Sequence, residues 1–142
     1  MWHRNFGDRL AAWNQLRTQS LAQPVPQALA MINAWWFQRA WCAYLLHWDD
    51  LAQWPDPWQL LEEPRLCPLA RGLGIMYTLA MLDREDFNDA RLTERADNNL
   101  VLVHKEKYIL NWYPDQIVNI NPGSSNHAHH QFTLVQARQK IR

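Results

Sequence analysis

The apolar pattern of this 142-residue chain changes once along its length, from a helical period to a strand period. Up to about residue 82, large apolar side chains recur every three or four positions, which is the spacing of one helix face. From residue 100 onwards, short β-type runs alternate with polar turn segments, which predicts antiparallel strands. We therefore expect an α+β fold, with tryptophan-rich N-terminal helices and a small antiparallel sheet in the C-terminal third.

The length and the composition predict a single domain over residues 1–142. Apolar and aromatic residues make up 48% of the chain and charged residues 20%, which is the range of globular proteins and not of disordered ones. The patterns divide this domain into an N-terminal helix (1–22), a helical core (27–95), antiparallel strands (99–135) and a basic tail (136–142).

Two long helices are predicted in the N-terminal part of the chain. The first ends at the prolines within 23–26, and its apolar stripe consists of Phe6, Leu10, Trp13 and Leu16. The second should run over 27–47 and is apolar on nearly every face, which is typical of a core helix or of one shared with a partner. After it, Asp49 or Asp50 should cap a short turn that ends near Trp54.

Two further helices are predicted from their proline-containing starts. Asp56 followed by Pro57 indicates an N-cap and a first helical position, and the helix should end near residue 63. Cys67 followed by Pro68 indicates the start of a central helix that runs to residue 82. Two glycines inside this helix, Gly72 and Gly74, require another backbone packed closely against it. The charged segment 83–93 should be a loop or a short helix.

The strands are predicted from short apolar runs. A hairpin should pair 100–103 with 108–110 across a four-residue turn at 104–107, so that residue 103 lies opposite residue 108. Further strands are predicted at 116–120 and 131–135.

Charge and cysteine content exclude several classes of protein. Lys plus Arg and Asp plus Glu both number 14, so the chain has no long-range basic field for duplex nucleic acid. Two cysteines, Cys42 and Cys67, indicate reduced thiols and not a disulfide framework, and early charged residues argue against a signal peptide. The apolar segment 28–48 contains a central Arg39, which predicts a buried helix and not a membrane span. We therefore expect no membrane contact, no nucleic-acid partner and no cofactor.

Cys67 is the candidate catalytic residue, because a helix N-terminus favours the thiolate form of a cysteine. Thiol catalysis also needs a histidine that takes the proton and an Asp or Asn that orients this histidine. In the predicted hairpin Asn98 and Asn99 lie beside Asn111, whereas His104 lies at the far tip, roughly 13 Å away. No base is identified among these residues. The alternative is that Cys67 is a small apolar core residue.

The segment 127–130 carries three histidines, which are ligand types for a metal such as zinc. It lies in a polar loop with no cysteine or carboxylate at ligand spacing. This pattern favours a solvated loop, and we expect no metal site.

Eight of the nine tryptophans lie in the first 58 residues. Aromatic side chains that stack on nucleic-acid bases have basic neighbours, but residues 21–66 contain only two basic residues, Arg39 and Arg65. Core packing and contact with other proteins are therefore favoured. The candidate binding residues are Trp35, Trp36, Trp54 and Trp58.

Two parts of the chain, 48–79 and 99–112, resemble small uncharacterised proteins of contractile-tailed cyanophages. The run Trp-Pro-Asp-Pro-Trp at 54–58 is the most specific element, and the resemblance covers about residues 44–120. It implies a bacteriophage protein and carries no known activity.

A second resemblance is to bacterial transglutaminase-like and papain-like cysteine proteinases, in which a Cys opens a helix, a His opens a strand and an Asp ends the next strand. Cys67 matches the nucleophile, and Asn111 matches the orienting residue in substituted form. The strand-opening position is Asn98 or Asn99 instead of histidine. The resemblance thus implies a catalytic arrangement whose histidine position is lost.

The sequence favours a non-catalytic bacteriophage structural or assembly subunit, located in the virion or the host cytoplasm. Its partners would be other protein subunits, including virion proteins, in an oligomer or hetero-assembly; the tryptophan excess and the mildly basic chain ends support this hypothesis. The alternative is a cysteine peptidase or amidase that uses Cys67, Asn111 and a histidine from elsewhere, such as the 127–130 loop. A third hypothesis is a small phage regulator that binds a host protein.

Overall fold

The computed structural model of the chain describes residues 5–43, 45–95, 98–119 and 130–141. The fold is α+β, as predicted, and its sheet lies in the C-terminal part. The α-helices are α1 (Phe6–Leu21), α2 (Val25–Phe37), α3 (Pro57–Glu62), α4 (Pro68–Leu82) and α5 (Leu134–Ile141), and short 3₁₀ helices cover Trp48–Gln53 and Glu85–Phe87. The strands are β1 (Ala40–Trp41), β2 (Arg65–Leu66), β3 (Arg91–Arg95), β4 (Asn98–Val103), β5 (Tyr108–Tyr113), β6 (Gln116–Asn119) and β7 (Gln131–Thr133).

Five strands form an antiparallel sheet in the order β6-β5-β4-β3-β7, and β1 and β2 form a separate parallel pair. The predicted hairpin register is confirmed, because Val103 lies opposite Tyr108. Three residues of its turn, His104, Lys105 and Glu106, have positive φ angles. The Asp89 carboxylate holds this turn by accepting hydrogen bonds from the backbone N–H of His104, at 2.9 Å, and of Lys105.

Helix α4 is the centre of the core, and it contacts α2, α5 and three strands of the sheet. The indoles of Trp13 and Trp36 both donate to the Thr78 hydroxyl at 2.9 Å, and this hydroxyl donates to the Gly74 carbonyl. A Cβ at Gly74 would lie 2.5 Å from the Trp36 ring. The expected close approach to the α4 glycines is thus made by a side chain and not by another backbone.

The second helix is shorter than predicted, because it ends at Phe37 instead of residue 47. The chain leaves the helix so that β1 can pair in parallel with β2, and the Cys42 N–H extends this pairing to the Leu66 carbonyl at 3.1 Å. Trp41 consequently lies on a strand with 62% of its surface exposed. The following turn ends at Trp54 as predicted, but it begins at Trp48, and its cap is His47, whose Nδ1 accepts from the Asp49 N–H, and not an aspartate.

Two predictions in the C-terminal half are also corrected. Residues 91–95, which we assigned to the loop or short helix at 83–93 and to the helical core, form β3. The strand predicted at 131–135 ends at Thr133, and residues 136–141 of the predicted basic tail belong to helix α5. Thr133 and Gln136 form a reciprocal capping arrangement at the start of α5, which buries Ala137 against the core.

None of the helices within the described ranges combines the length and the apolar character that a membrane crossing requires.

Candidate functional site

A cavity of about 260 Å³ lies at the N-terminus of α4, between this helix end and one end of the sheet. One wall comes from the segment around the first 3₁₀ helix, one from the start of α4, and one from β3, β4 and the residue before β7. The lining residues are Ala43, Leu46, His47, Trp48, Cys67, Pro68, Leu69, Glu94, Asn99 and His130.

Cys67 is the N-cap of α4, as predicted. Its side chain is 2% exposed, and its Sγ accepts a hydrogen bond from the Ala70 N–H at 3.4 Å. Pro68 occupies the first helical position. The sulfur therefore lies at the positive end of the helix dipole, which favours a negative charge there.

Strands β3 and β4, together with the residue that precedes β7, contribute one row of polar side chains to this cavity. Glu94 on β3 is the cross-strand partner of Asn99 on β4. On the other side of β3, the pairing with β7 ends at Thr93 and Gln131, and the side chain of His130, the residue before β7, contacts Glu94.

This polar row faces α4 because side chains alternate along a strand. Leu92 and Phe132 are fully buried core residues, and they lie two positions from Glu94 and His130 respectively. Asn99 is likewise two positions from the core residue Val101. The sheet thus directs an amide, a carboxylate and an imidazole toward the helix end that carries Cys67.

His130 is held on two sides. Its Nδ1 lies 3.1 Å from Oε1 of Glu94, and its ring stacks on Trp48 with 5.1 Å between the centroids and 10° between the planes. The Thr93 hydroxyl donates to its carbonyl at 3.2 Å. The Nδ1–Glu94 contact leaves Nε2 as the ring nitrogen for proton transfer. His127 and His129 lie outside the described residues.

Trp48 connects the histidine to the neighbouring amide. Its Nε1 donates to Oδ1 of Asn99 at 2.9 Å, while its ring stacks on His130 and packs against Trp54 at 5.2 Å. Trp54 in turn donates to the His47 carbonyl at 2.8 Å. The 3₁₀ segment is therefore anchored directly over the polar row.

Asn111, the predicted orienting residue, contacts the start of α4. Its Nδ2 donates to the carbonyls of Pro68 (2.8 Å) and Asn99 (2.6 Å), and its Oδ1 accepts from Nε of Arg71 at 2.6 Å. Its backbone N–H donates to Oδ1 of Asn33 at 2.8 Å, and its φ of 68° belongs to a bulged part of β5. The hydrogen bonds described for its amide join α4 to the sheet and include no imidazole.

Arg71 lies one turn after Cys67 on α4. Its guanidinium stacks on the Phe37 ring at 3.7 Å. Burial lowers the pKa of Arg71 to about 10, and electrostatic interaction with the Cys67 side chain opposes this shift. Arg71 therefore remains a cation at neutral pH.

The four predicted binding tryptophans do not form one surface. Trp36 and Trp54 are buried, Trp35 is half-buried, and Trp58 is 37% exposed. The exposed large aromatic side chains of the described residues are Trp58 and three that were not predicted, Trp41, Trp112 and Tyr113. Trp36 and Trp54 therefore act in the core in the structure of the isolated chain.

Glu94 is the residue that the sequence reasoning missed. It was placed in a helical region, although the alternation of Leu92 and Glu94 is a strand signal. His130 was considered only as part of the histidine-rich loop. No group of three metal-ligand side chains occurs within the described parts of the chain. Comparison of the chain with protein-family models, with curated proteins and with solved structures returns no match.

Proposed function

We propose that this chain is a cysteine-dependent acyl-transfer enzyme, a peptidase or amidase in which Cys67 is the nucleophile. The single observation that carries the proposal is that Cys67, at a helix N-terminus, lines the same cavity as the Glu94–His130 pair. These are the three chemical roles that thiol catalysis requires: nucleophile, base and orienting group.

In the first step, the Cys67 thiol gives its proton to Nε2 of His130, and the thiolate sulfur attacks the carbonyl carbon of the substrate. Collapse of the tetrahedral intermediate breaks the bond between this carbon and the leaving group. The leaving group takes the proton from His130, and a thioester remains on Cys67. Glu94 holds the imidazole in the required tautomer through its contact with Nδ1.

In the second step, water gives a proton to Nε2 of His130 and attacks the thioester carbon. The C–S bond breaks, the sulfur recovers a proton from His130, and the carboxylic acid product leaves. An amine that replaces water would give a transferred acyl group by the same proton movements.

Asn99 is the candidate for stabilising the oxyanion. Its Oδ1 accepts from Trp48, which orients the amide and leaves the Nδ2 group as a donor on the cavity wall. The N-terminus of α4 adds backbone N–H dipoles at the same place. Amide donors with a fixed orientation stabilise negative charge in a transition state without having to reorganise.

The arrangement differs in chain order from the transglutaminase-like and papain-like pattern. Here the carboxylate of Glu94 precedes His130 in the chain, and the imidazole comes from the residue before β7, the strand on the other side of β3. Catalytic triads occur in several chain orders, because the chemistry depends on mutual geometry. In this proposal Glu94 takes the orienting role, and Asn111 positions the start of α4.

The experiment compares the alkylation of the two free cysteines by iodoacetamide at pH 6, with peptide mass spectrometry to identify the labelled residue. A Cys42→Ser parent isolates Cys67, and Cys67→Ala isolates Cys42 as the matched control. We expect Cys67 to react faster than Cys42. In His130→Gln and Glu94→Gln, the alkylation rate of Cys67 should fall by at least about tenfold, because general-base assistance is lost. Equal rates in the parent and in His130→Gln would contradict the proposal.

A second proposed function is protein–protein contact within an assembly such as a bacteriophage particle. The observation in its favour is the exposed aromatic surface, including Trp41 (62%) and the stacked pair Trp112–Tyr113. Detection of the chain in purified particles, and loss of this incorporation in Trp112→Ser or Trp41→Ser, would support it. Absence from particles and from every assembly complex would exclude it.

A further inference from the structure

We infer that Arg71 is the counter-cation of the Cys67 thiolate and that Asn111 is the residue that positions it. This inference rests on the proposed function, because it explains how the thiolate is stabilised before a substrate arrives. Arg71 is thus a positioning residue and does not touch the substrate.

The first support is the helical geometry. The Arg71 N–H donates to the Cys67 carbonyl at 2.9 Å, so Arg71 lies one helical turn after the N-cap residue of α4. Electrostatic interaction with the Cys67 side chain raises the pKa of Arg71, against the effect of burial. The Arg71 cation therefore lies within electrostatic reach of the sulfur.

The second support is the lack of another anion. Arg71 contacts an aromatic ring and a neutral amide, and among the described residues no carboxylate forms an ion pair with it. A cation that is largely removed from water is usually compensated by a negative charge. The Cys67 sulfur is the group near Arg71 that can become that negative charge.

The third support is the position of Asn111 between these groups. Its Oδ1 accepts from Arg71, and its Nδ2 donates to the first turn of α4 and to Asn99 of β4. The guanidinium is therefore fixed relative to both the helix end and the cavity wall. A mobile surface arginine would not have this arrangement.

Other titratable groups also line the cavity around Cys67, and their effects on a thiolate must be distinguished from the effect of Arg71. The cavity wall contributes His47, Glu94 and His130. The Glu94 carboxylate opposes a thiolate, while a protonated His130 compensates it. Arg71 is the cation from the helix that carries Cys67, and with a pKa of about 10 it stays mostly protonated between pH 5 and pH 9.

The test measures the iodoacetamide rate of Cys67 from pH 5 to pH 9 in the Cys42→Ser parent and in Arg71→Met, Arg71→Gln and Arg71→Lys. We expect the neutral variants to lower the rate about tenfold at pH 6, with little change at pH 9, since a single charge at this distance has an effect of that order. Arg71→Lys should restore most of the rate at pH 6. Using both Met and Gln keeps the test valid if one variant does not fold.

The matched control is Arg84→Met. Arg84 also lies over an aromatic ring, Phe87, but it is paired with Asp86 at the opposite end of α4. The substitution Arg84→Met should leave the pH dependence of the Cys67 alkylation rate unchanged. The inference would be overturned if Arg71→Met or Arg71→Gln folds and its Cys67 alkylation rate depends on pH as in the parent. In that case the substitution His130→Gln separates the two claims. If it still slows the alkylation of Cys67, the proposed function stands without the inference about Arg71. If it has no effect, the proposed function fails as well.

Discussion

The imidazole of His130 stacks on the indole of Trp48, with ring centroids 5.1 Å apart and ring planes 10° from parallel. The same indole donates to Asn99, so one tryptophan contacts two parts of the cavity wall, strand β4 and the residue before β7. Aromatic contacts of this kind restrict the rotation of an imidazole without using its nitrogen atoms. Trp48 and Glu94 therefore define the orientation of His130 together.

Trp48→Leu should reduce the reactivity of Cys67, because His130 loses the ring that it stacks on. Trp48→Phe keeps a stacking surface but loses the donor to Asn99, so it should retain most of the alkylation rate at pH 6. The measurement is the iodoacetamide rate in the Cys42→Ser background, with circular dichroism to verify folding. A Trp48→Leu variant that folds and reacts at the parental rate would show that the stacking does not orient the base.

Thr78→Val should destabilise the fold by about 2–4 kcal/mol, because two buried indole donors lose their acceptor at once. Valine has nearly the same shape as threonine, so packing changes little. Thr78→Ser is the control, since it keeps the hydroxyl and should cost about 1 kcal/mol for the lost methyl group. Urea unfolding of the three proteins gives these differences, and equal losses for Val and Ser would refute the role of the hydroxyl.

Gly74→Ala should destabilise the fold by about 1–3 kcal/mol, because the added methyl group would overlap the ring of Trp36. Gly7→Ala is the matched control in the first turn of α1. The nearest side-chain atom to a Cβ at Gly7 is 3.5 Å away, and alanine is the better helix former, by about 0.5–1 kcal/mol. Thermal unfolding should therefore shift the two variants in opposite directions, and a neutral Gly74→Ala would contradict the packing argument.

Asp86→Asn should lower stability at neutral pH but not in acid. The side-chain hydrogen bonds from Arg84 lower the pKa of Asp86, and the two side chains are paired at 2.7 Å. A carboxylate with a lowered folded-state pKa adds stability above its unfolded value of 3.8, and this stability disappears as the pH falls through the folded-state value. Because the pair is partly exposed, the difference at pH 7 should be at most about 1 kcal/mol. Unfolding curves of both proteins from pH 7 to pH 2 measure this difference. A difference in stability that does not change with pH would contradict this account.

The parts of the fold that depend on neighbouring residues were predictable from the sequence. Asp56 and Pro57 start α3 with a complete capping box, and Cys67 and Pro68 start α4, because capping needs residues within one turn. The hairpin register followed from the turn at 104–107 for the same reason. The position of Cys67 at a helix N-terminus could thus be predicted from the local sequence alone.

The parts that depend on distant pairing were not predictable in this way. Helix α2 ends early because Ala40 pairs with Arg65, far along the chain, and an apolar pattern does not indicate such a partner. His130 reaches Glu94 because β7 pairs with β3 across 36 residues of chain. The candidate site could therefore be identified only from the tertiary structure, because the sequence does not show which of these side chains lie close together.

The most direct measurement of the central claim is the detection of a covalent acyl group on Cys67. The Cys42→Ser protein is mixed with p-nitrophenyl acetate, an activated ester, and nitrophenol release and peptide mass are followed together. The account predicts a rapid burst with the acetyl group on Cys67, absent in Cys67→Ala and strongly slowed in His130→Gln. Acetylation that avoids Cys67, or that proceeds equally well without His130, would contradict it.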